Sequence, residues 1–201
     1  MCGSKKNIII QKSCNLFFNY GIQHITMDDI ATECGVSKKT IYKHFENKTD
    51  LLHKVIKIKA EELKQLIKNN QLKNLNPIEE LLLFFKHINH LALHMSPTFG
   101  KELKQFHSNI FIEVYRYKNS IVLPFVIENI KKGKNEGLYK ADLDPEEICY
   151  SFDNVSKIIF TDGFLSVTNK KSIDFINSLF MYRLVSVKGL EYLKGVNTSI
   201  V

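Results

Sequence analysis

Residues 25–52 read ITMDDIATECGVSKKTIYKHFENKTDLL, and the fold follows from this stretch. Thr26 opens a helix: its hydroxyl suits the backbone N–H of Asp29, while the Asp29 carboxylate can reach back, a variant of the capping box. Met27, Ile30, Ala31 and Cys34 then fall on one helical face. Gly35 ends that helix after about two turns, and Ser37 caps another in which Ile41, Tyr42 and Phe45 follow Val36 at near-helical spacing. Two short helices joined by the turn Glu33-Cys34-Gly35-Val36-Ser37 make a helix-turn-helix. In that motif the second helix enters the DNA major groove and its N-terminal residues meet base edges. Lys38, Lys39, Thr40 and Lys43 stand at those places.

Outward from the motif, the pattern stays helical. Ile10, Cys14, Phe17 and Phe18, at i, i+4, i+7 and i+8, predict an amphipathic helix over about 5–19 that stops at Gly21. From Lys48, the stripe Leu51, Leu52, Val55, Ile58, Leu63, Leu66 and Ile67 runs to about Asn70. Asn76-Pro77 opens the next helix, with Ile78, Leu81, Leu82, Phe85, Ile88 and Ala92 on its buried face, before Ser96-Pro97 interrupts it. A shorter helix over about 98–107 precedes a long one over about 109–134, where Pro124 predicts a kink or break. Asp144-Pro145-Glu146-Glu147 combines cap, first-turn proline and acidic first turn, so two last helices are expected at about 145–167 and 172–194, with a frayed tail from Gly195. The reading is all-α: a three-helix helix-turn-helix domain at 1–47 and a larger helical domain at 48–201, about nine helices in total.

Composition agrees. Hydrophobic residues at 44% and charged residues at 24% suit an ordinary globular chain, and the Val/Ile/Thr strands of a sheet are missing. The longest apolar run, Leu81 to Phe85, is far too short for a bilayer span, and Ile8-Ile9-Ile10 is too short for a signal peptide, so a cytoplasmic protein without membrane contact is expected. The four cysteines form no CxxC pair, and Cys14 and Cys34 read as core. His90 and His94 have ligand spacing, but with His87 they project away from the apolar stripe and lack an acidic or cysteine partner nearby, so no metal is expected. No Gly-rich phosphate loop, nucleophile elbow or facing carboxylate pair is present, so neither an enzyme nor a cofactor is expected. The net charge of +7 is uneven: residues 1–70 hold twelve lysines against seven acids, while the rest is nearly balanced. That is the electrostatic footprint of a nucleic-acid-binding segment on a near-neutral body. No arginine precedes Arg116, so base reading falls to single lysine and threonine bonds and methyl contacts.

On these residues the segment resembles the DNA-binding domain of the tetracycline-repressor (TetR) family of bacterial transcriptional regulators. The match runs residue by residue over about 22–52, with the helix of 5–19 before it; the remainder is similar only in helix count. The resemblance implies that Thr26, Tyr42, His44 and Lys48 contact phosphates, and that Ser37, Lys38, Lys39, Thr40 and Lys43 form the recognition surface. Thr26 at a helix N-terminus and Lys48 at the start of the fourth helix suit anions on physical grounds as well. Lys39 departs from the small residue that the family often has there. Tyr42 reads either as a DNA contact or as core, Phe45 as core, and Lys54, Lys57, Lys59, Lys64 and Lys68 as a solvated face.

The resemblance further implies a ligand-responsive homodimer, a repressor that leaves a palindromic double-stranded operator when a small, mainly apolar effector enters a cavity in the helical body. Candidate lining residues are Phe85, Asn89, Phe106, Phe111, Tyr115 and Phe152. The Asn89 carboxamide lies on an apolar face, either as a satisfied core amide or as a polar anchor. The last two helices are apolar nearly all round and must be buried on two sides, one of them against a second subunit; Phe160, Phe164, Phe175, Tyr182 and Val185 are the interface candidates. The competing reading is a helical protein-interaction module that binds no DNA, which would lack nucleic-acid affinity that falls with salt.

Overall fold

Short-range capping sets the first third of the chain, which a computed structural model describes together with most of the rest: residues 4–161 and 170–197, the side chains of 158–161 and 196–197 excepted. Ser4 Oγ accepts from the Asn7 N–H, and α1 (Lys5–Tyr20) buries Ile9, Ile10, Cys14, Phe17 and Phe18. It stops at Gly21, whose φ of +84° places it in the left-handed region that glycine tolerates. Helices α2 (Met27–Cys34) and α3 (Lys38–Tyr42) follow, and α4 (Lys48–Leu72) runs 25 residues, about 37 Å at 1.5 Å per residue. Then come α5 (Pro77–Leu93), α6 (Phe99–Phe106), α7 (Ser108–Tyr117), a π-helical turn (Lys118–Val122), α8 (Leu123–Asn135), α9 (Pro145–Thr161), α10 (Lys170–Leu184) and α11 (Val187–Asn197). The described residues hold no strand, only one antiparallel bridge between Tyr139 and Val185. None of the described helices is long and apolar enough to cross a membrane.

The chain forms two units. Residues 4–63 and 94–116 make most of the first, in which Phe17, Ile22, Ile30, Ile41, Phe45, Leu51, Leu52 and Val55 are buried and the Phe18 ring meets Phe99 edge-on at 4.9 Å between centroids. Residues 64–93, 117–158 and 170–197 make most of the second. Its core is aromatic: Phe84 lies 5.2 Å from Phe125, while Phe85, Phe152 and Phe180 stand 5.7–6.4 Å apart in one stacked and two edge contacts. A buried polar cluster sits in the same unit. The Glu80 carboxylate accepts from Lys132 Nζ at 2.8 Å and Asn129 Nδ2 at 3.1 Å, and the Tyr139 hydroxyl lies 3.0 Å from both the Pro77 carbonyl and Asn129 Oδ1. Burial, reinforced by the nearby Glu80 and Glu136 charges, pushes the Tyr139 hydroxyl well above its ordinary pKa.

Two of the expected nine helices are subdivided. The run over 109–134 divides at the π-helical turn, where the Leu123 N–H reaches the Lys118 carbonyl five residues back. Pro124 follows, so the widened turn accommodates the missing N–H and the ring. The run over 172–194 breaks at Val185-Ser186. Ser186 Oγ accepts from the Gly189 N–H at 3.1 Å and caps α11, while the Ser186 N–H and the Leu184 carbonyl bond the 138–140 segment at 2.9 Å. The tail expected to fray from Gly195 is helical to Asn197.

Candidate nucleic-acid interface

The reading unit is assembled by bonds between near neighbours. The Thr26 hydroxyl accepts from the Asp29 N–H at 3.2 Å, and Asp29 Oδ2 accepts from the Thr26 N–H at 2.8 Å and its hydroxyl at 2.7 Å. The Thr26 hydroxyl, chief among these, holds the Asp29 carboxyl below its usual pKa. At the other end of α2, Gly35 adopts φ +65°, ψ +36°; its N–H bonds Thr32 O at 3.1 Å, and Val36 N–H bonds Ala31 O at 3.0 Å. This pair is the Schellman closure, and it turns the chain sharply into α3. Ser37 Oγ accepts from the Thr40 N–H at 3.3 Å and lies 3.0 Å from the Thr40 hydroxyl.

Helix α3 buries one residue, Ile41, with Phe45 buried just beyond it. Lys38, Lys39, Tyr42, Lys43 and His44 are exposed, and Thr40 is half-buried. Tyr42, at 47% exposure, is a surface residue and not core. Lys38 Nζ donates to Asp28 Oδ2 at 2.9 Å, and this bond raises the lysine pKa; Asp28 was not expected at the site. The N-terminus of α1 abuts the same region, with Lys6 Nζ 5.9 Å above the Phe45 ring.

Lys48, for which the resemblance implies a phosphate contact, is held by bonds within the protein. Its Nζ donates to the carbonyls of Ile22 and Ile25, each at 2.9 Å, because the first residue of α4 is folded against the loop before α2. Burial lowers its pKa against the pull of Glu102. The same loop is held by Glu102 of α6, whose Oε2 accepts from the N–H of Ile22 at 2.5 Å and Gln23 at 2.9 Å. Burial works to raise the Glu102 pKa, but bonds from Gln23, Thr98 and Ile22 outweigh it and keep the carboxyl below the usual range. No signal near Glu102 in the sequence indicates this role.

The effector candidates fall three to a unit. Phe106, Phe111 and Tyr115 lie in the first, where Phe111 and Tyr115 meet edge-on at 4.9 Å and Phe106 is on the surface at 54% exposure. In the second, Phe85 and Phe152 belong to the aromatic core, and Asn89 Oδ1 accepts from Asn177 Nδ2 of α10 at 2.8 Å. Of the interface candidates, Phe175 and Tyr182 are exposed. Val185 is not an interface residue: at 4% exposure it lies inside the protomer, drawn in by the bridge to Tyr139. Phe164 and the Phe160 side chain lie outside the described residues.

A family model described as "Bacterial regulatory proteins, tetR family" matches residues 9–55, spanning α1 to the first turns of α4. Over residues 9–55 the chain is similar to that family. YerO of Bacillus subtilis, an uncharacterized HTH-type transcriptional regulator, is 28% identical over 172 residues, 75% of this chain and 55% of that protein. IcaR of Staphylococcus aureus, a negative transcriptional regulator of a biofilm operon, is 26% identical over 120 residues, 58% of this chain and 64% of its own length. The chain thus spans a little over half of one of these relatives and under two thirds of the other. The crystal structure of FadR from Bacillus subtilis in complex with stearoyl-CoA has the same fold, with a TM-score of 0.66, 21% identity, and coverage of 90% of this chain and 97% of that one. All three of these proteins are named transcriptional regulators.

Proposed function

We propose that the protein is a homodimeric repressor of transcription that binds a palindromic operator and releases it when a small, mainly apolar effector binds. The observation that carries the reading is α3: a helix capped at its start by Ser37, anchored by Ile41 and followed by buried Phe45, with Lys38, Lys39, Tyr42 and Lys43 left exposed. A helix so held keeps cations at its entrance without needing them for folding, as a major-groove reader requires. Residues 1–47 then read DNA, with Thr26 and His44 at phosphates and Ser37, Lys39, Thr40 and Lys43 along the base edges. Residues 48–201 bind the effector and the second subunit.

Support for dimerisation comes from α10, where Phe175, Leu179 and Tyr182 are exposed at 63%, 54% and 51% in one i, i+4, i+7 row, opposite buried Ile173, Met181 and Leu184. A row of large apolar side chains facing water marks an association surface. Phe160 and Phe164 are the further interface candidates of this proposal. For the effector, the Asn89–Asn177 amide pair beside Phe85, Phe152 and Phe180 offers one polar anchor within aromatic surroundings. That FadR is held with stearoyl-CoA, and that IcaR is named a negative regulator, favours a partly apolar effector and repression. The cytoplasm is the compartment in which such a protein meets its operator.

The test is selection of duplexes from a random pool by the full chain, with sedimentation of the free protein alongside. A recovered palindrome and a dimer at micromolar concentration are expected. Recovery of no motif, or a monomer bound to a single half-site, would reject the proposal.

A further inference from the structure

Five residues, Gly21 to Ile25, link α1 to the cap of α2, and helices distant in sequence grip their backbone from opposite sides. From α6, the Glu102 carboxylate takes the Ile22 and Gln23 N–H groups at 2.5 and 2.9 Å. From α4, the Lys48 ammonium takes the Ile22 and Ile25 carbonyls at 2.9 Å each. The Ile22 peptide groups are therefore pinned by an anion on one side and a cation on the other. Gly21 is part of the device, because a Cβ built there would lie 3.0 Å from the carboxylate and from the Thr98 hydroxyl. All these residues lie in one unit of the fold.

Glu102 is 8% exposed, and hydrogen bonds to a charged group are stronger and more directional than neutral ones. A leucine would fill such a site without constraining the loop. The loop ends at Thr26, the N-cap from which α2, the Gly35 turn and α3 all extend, so its placement sets theirs.

We propose that Glu102 and Lys48 are positioning residues for DNA recognition, holding the α1–α2 loop so that α3 is presented in one orientation, and that Lys48 makes no phosphate contact. This rests on the DNA-binding reading above. Two of the three N–H donors of the Lys48 ammonium already serve the Ile22 and Ile25 carbonyls, which fixes the group against the loop. Base recognition needs one orientation of α3, whereas charge attraction to any duplex does not.

The experiment uses the full chain, a duplex selected by the wild type and a random-sequence duplex, each titrated with salt. Lys48→Met and Glu102→Gln are each expected to weaken binding to the selected duplex at least tenfold. The slope of log affinity against log salt on the random duplex should stay at the wild-type value. A phosphate contact at Lys48 would instead lower that slope by about 0.9. The double variant should be no worse than the weaker single one, because both act on one loop. Without DNA, amide exchange at Ile22 and Gln23 should quicken in Glu102→Gln while α1 and α4 stay protected; Glu102→Asp, which keeps the charge, serves the same measurement if the amide variant fails to fold. A slope loss of about one in Lys48→Met, wild-type selectivity in Glu102→Gln, or unchanged exchange at both amides would overturn the proposal. Wild-type protein that selects no duplex would remove the DNA-binding reading itself, a failure that the exchange result does not depend on.

Discussion

Replacing Asp28 by asparagine should tighten DNA binding, and by an amount that depends on salt. In the free protein Lys38 Nζ lies 2.9 Å from Asp28 Oδ2, with the side chains 49% and 67% exposed, so the entrance of α3 carries a neutralised lysine. Brought to DNA, the pair either keeps its bond and places a carboxylate beside phosphates, or breaks it. Each phosphate neutralised by a lysine adds about 0.9 to the slope of log affinity against log salt. With Asp28 neutral, Lys38 becomes free to supply one such contact. Between 50 and 200 mM salt, a fourfold change raised to that power is about 3.5, so the advantage of D28N over wild type should be about 3.5-fold larger at the lower salt. The α2 cap survives because Asp29, not Asp28, closes it. Fluorescence anisotropy with a labelled random duplex at three salt concentrations measures both slopes. Lys38→Ala provides the control, since it should change the wild-type slope little and abolish the gain in D28N. A D28N slope equal to or shallower than that of the wild type would refute the reasoning.

Three other outcomes follow from the geometry. Tyr139→Phe removes a buried donor facing Pro77 O and Asn129 Oδ1, which should cost about 1–2 kcal/mol and lower the melting temperature by a few degrees in calorimetry; an unchanged midpoint contradicts it. Gly35 has nothing within 4 Å of an added Cβ, so Gly35→Ala should cost only the left-handed backbone penalty of about 1–2 kcal/mol and Gly35→Asn less, an order that thermal melts check. His107 Nε2 is buried without a hydrogen-bond partner, and burial, aided by Lys48, lowers the imidazole pKa from 6.5. The unfolded chain therefore binds the proton first: stability is intact above pH 6.5 and falls as pH drops through the lower folded value. His107→Leu should lose less melting temperature than wild type between pH 7 and 5.5, and parallel losses would contradict this.

Features made by neighbours in sequence were legible, and those made by distant pairs were not. Thr26 with Asp29, Gly35 and Ser37 act within four residues, and each could be placed from side-chain chemistry alone. Pro124 marked a distortion, though not its π-helical form. The break at Ser186 was hidden because apolar residues continue on both sides of it, and its cause is pairing with the 138–140 segment some 46 residues away by sequence number (Ser186 to Lys140). Glu102 reaches Ile22 across 80 positions, and Asn177 reaches Asn89 across 88; no periodicity encodes such contacts. The bonds from Lys48 to the Ile22 and Ile25 carbonyls were hidden as well, because a charge at a helix start is all that a sequence displays there.

On the proposed function, α3 and its C-cap Lys43 read a DNA sequence with their exposed lysines. Equilibrium competition between the selected duplex and a random one, at 150 mM salt, measures that reading. The wild type should prefer the selected duplex by about 10³ or more, and the double variant Lys39→Ala, Lys43→Ala should lose most of that preference. A wild type that holds both duplexes equally, or a double variant as selective as the wild type, would contradict it.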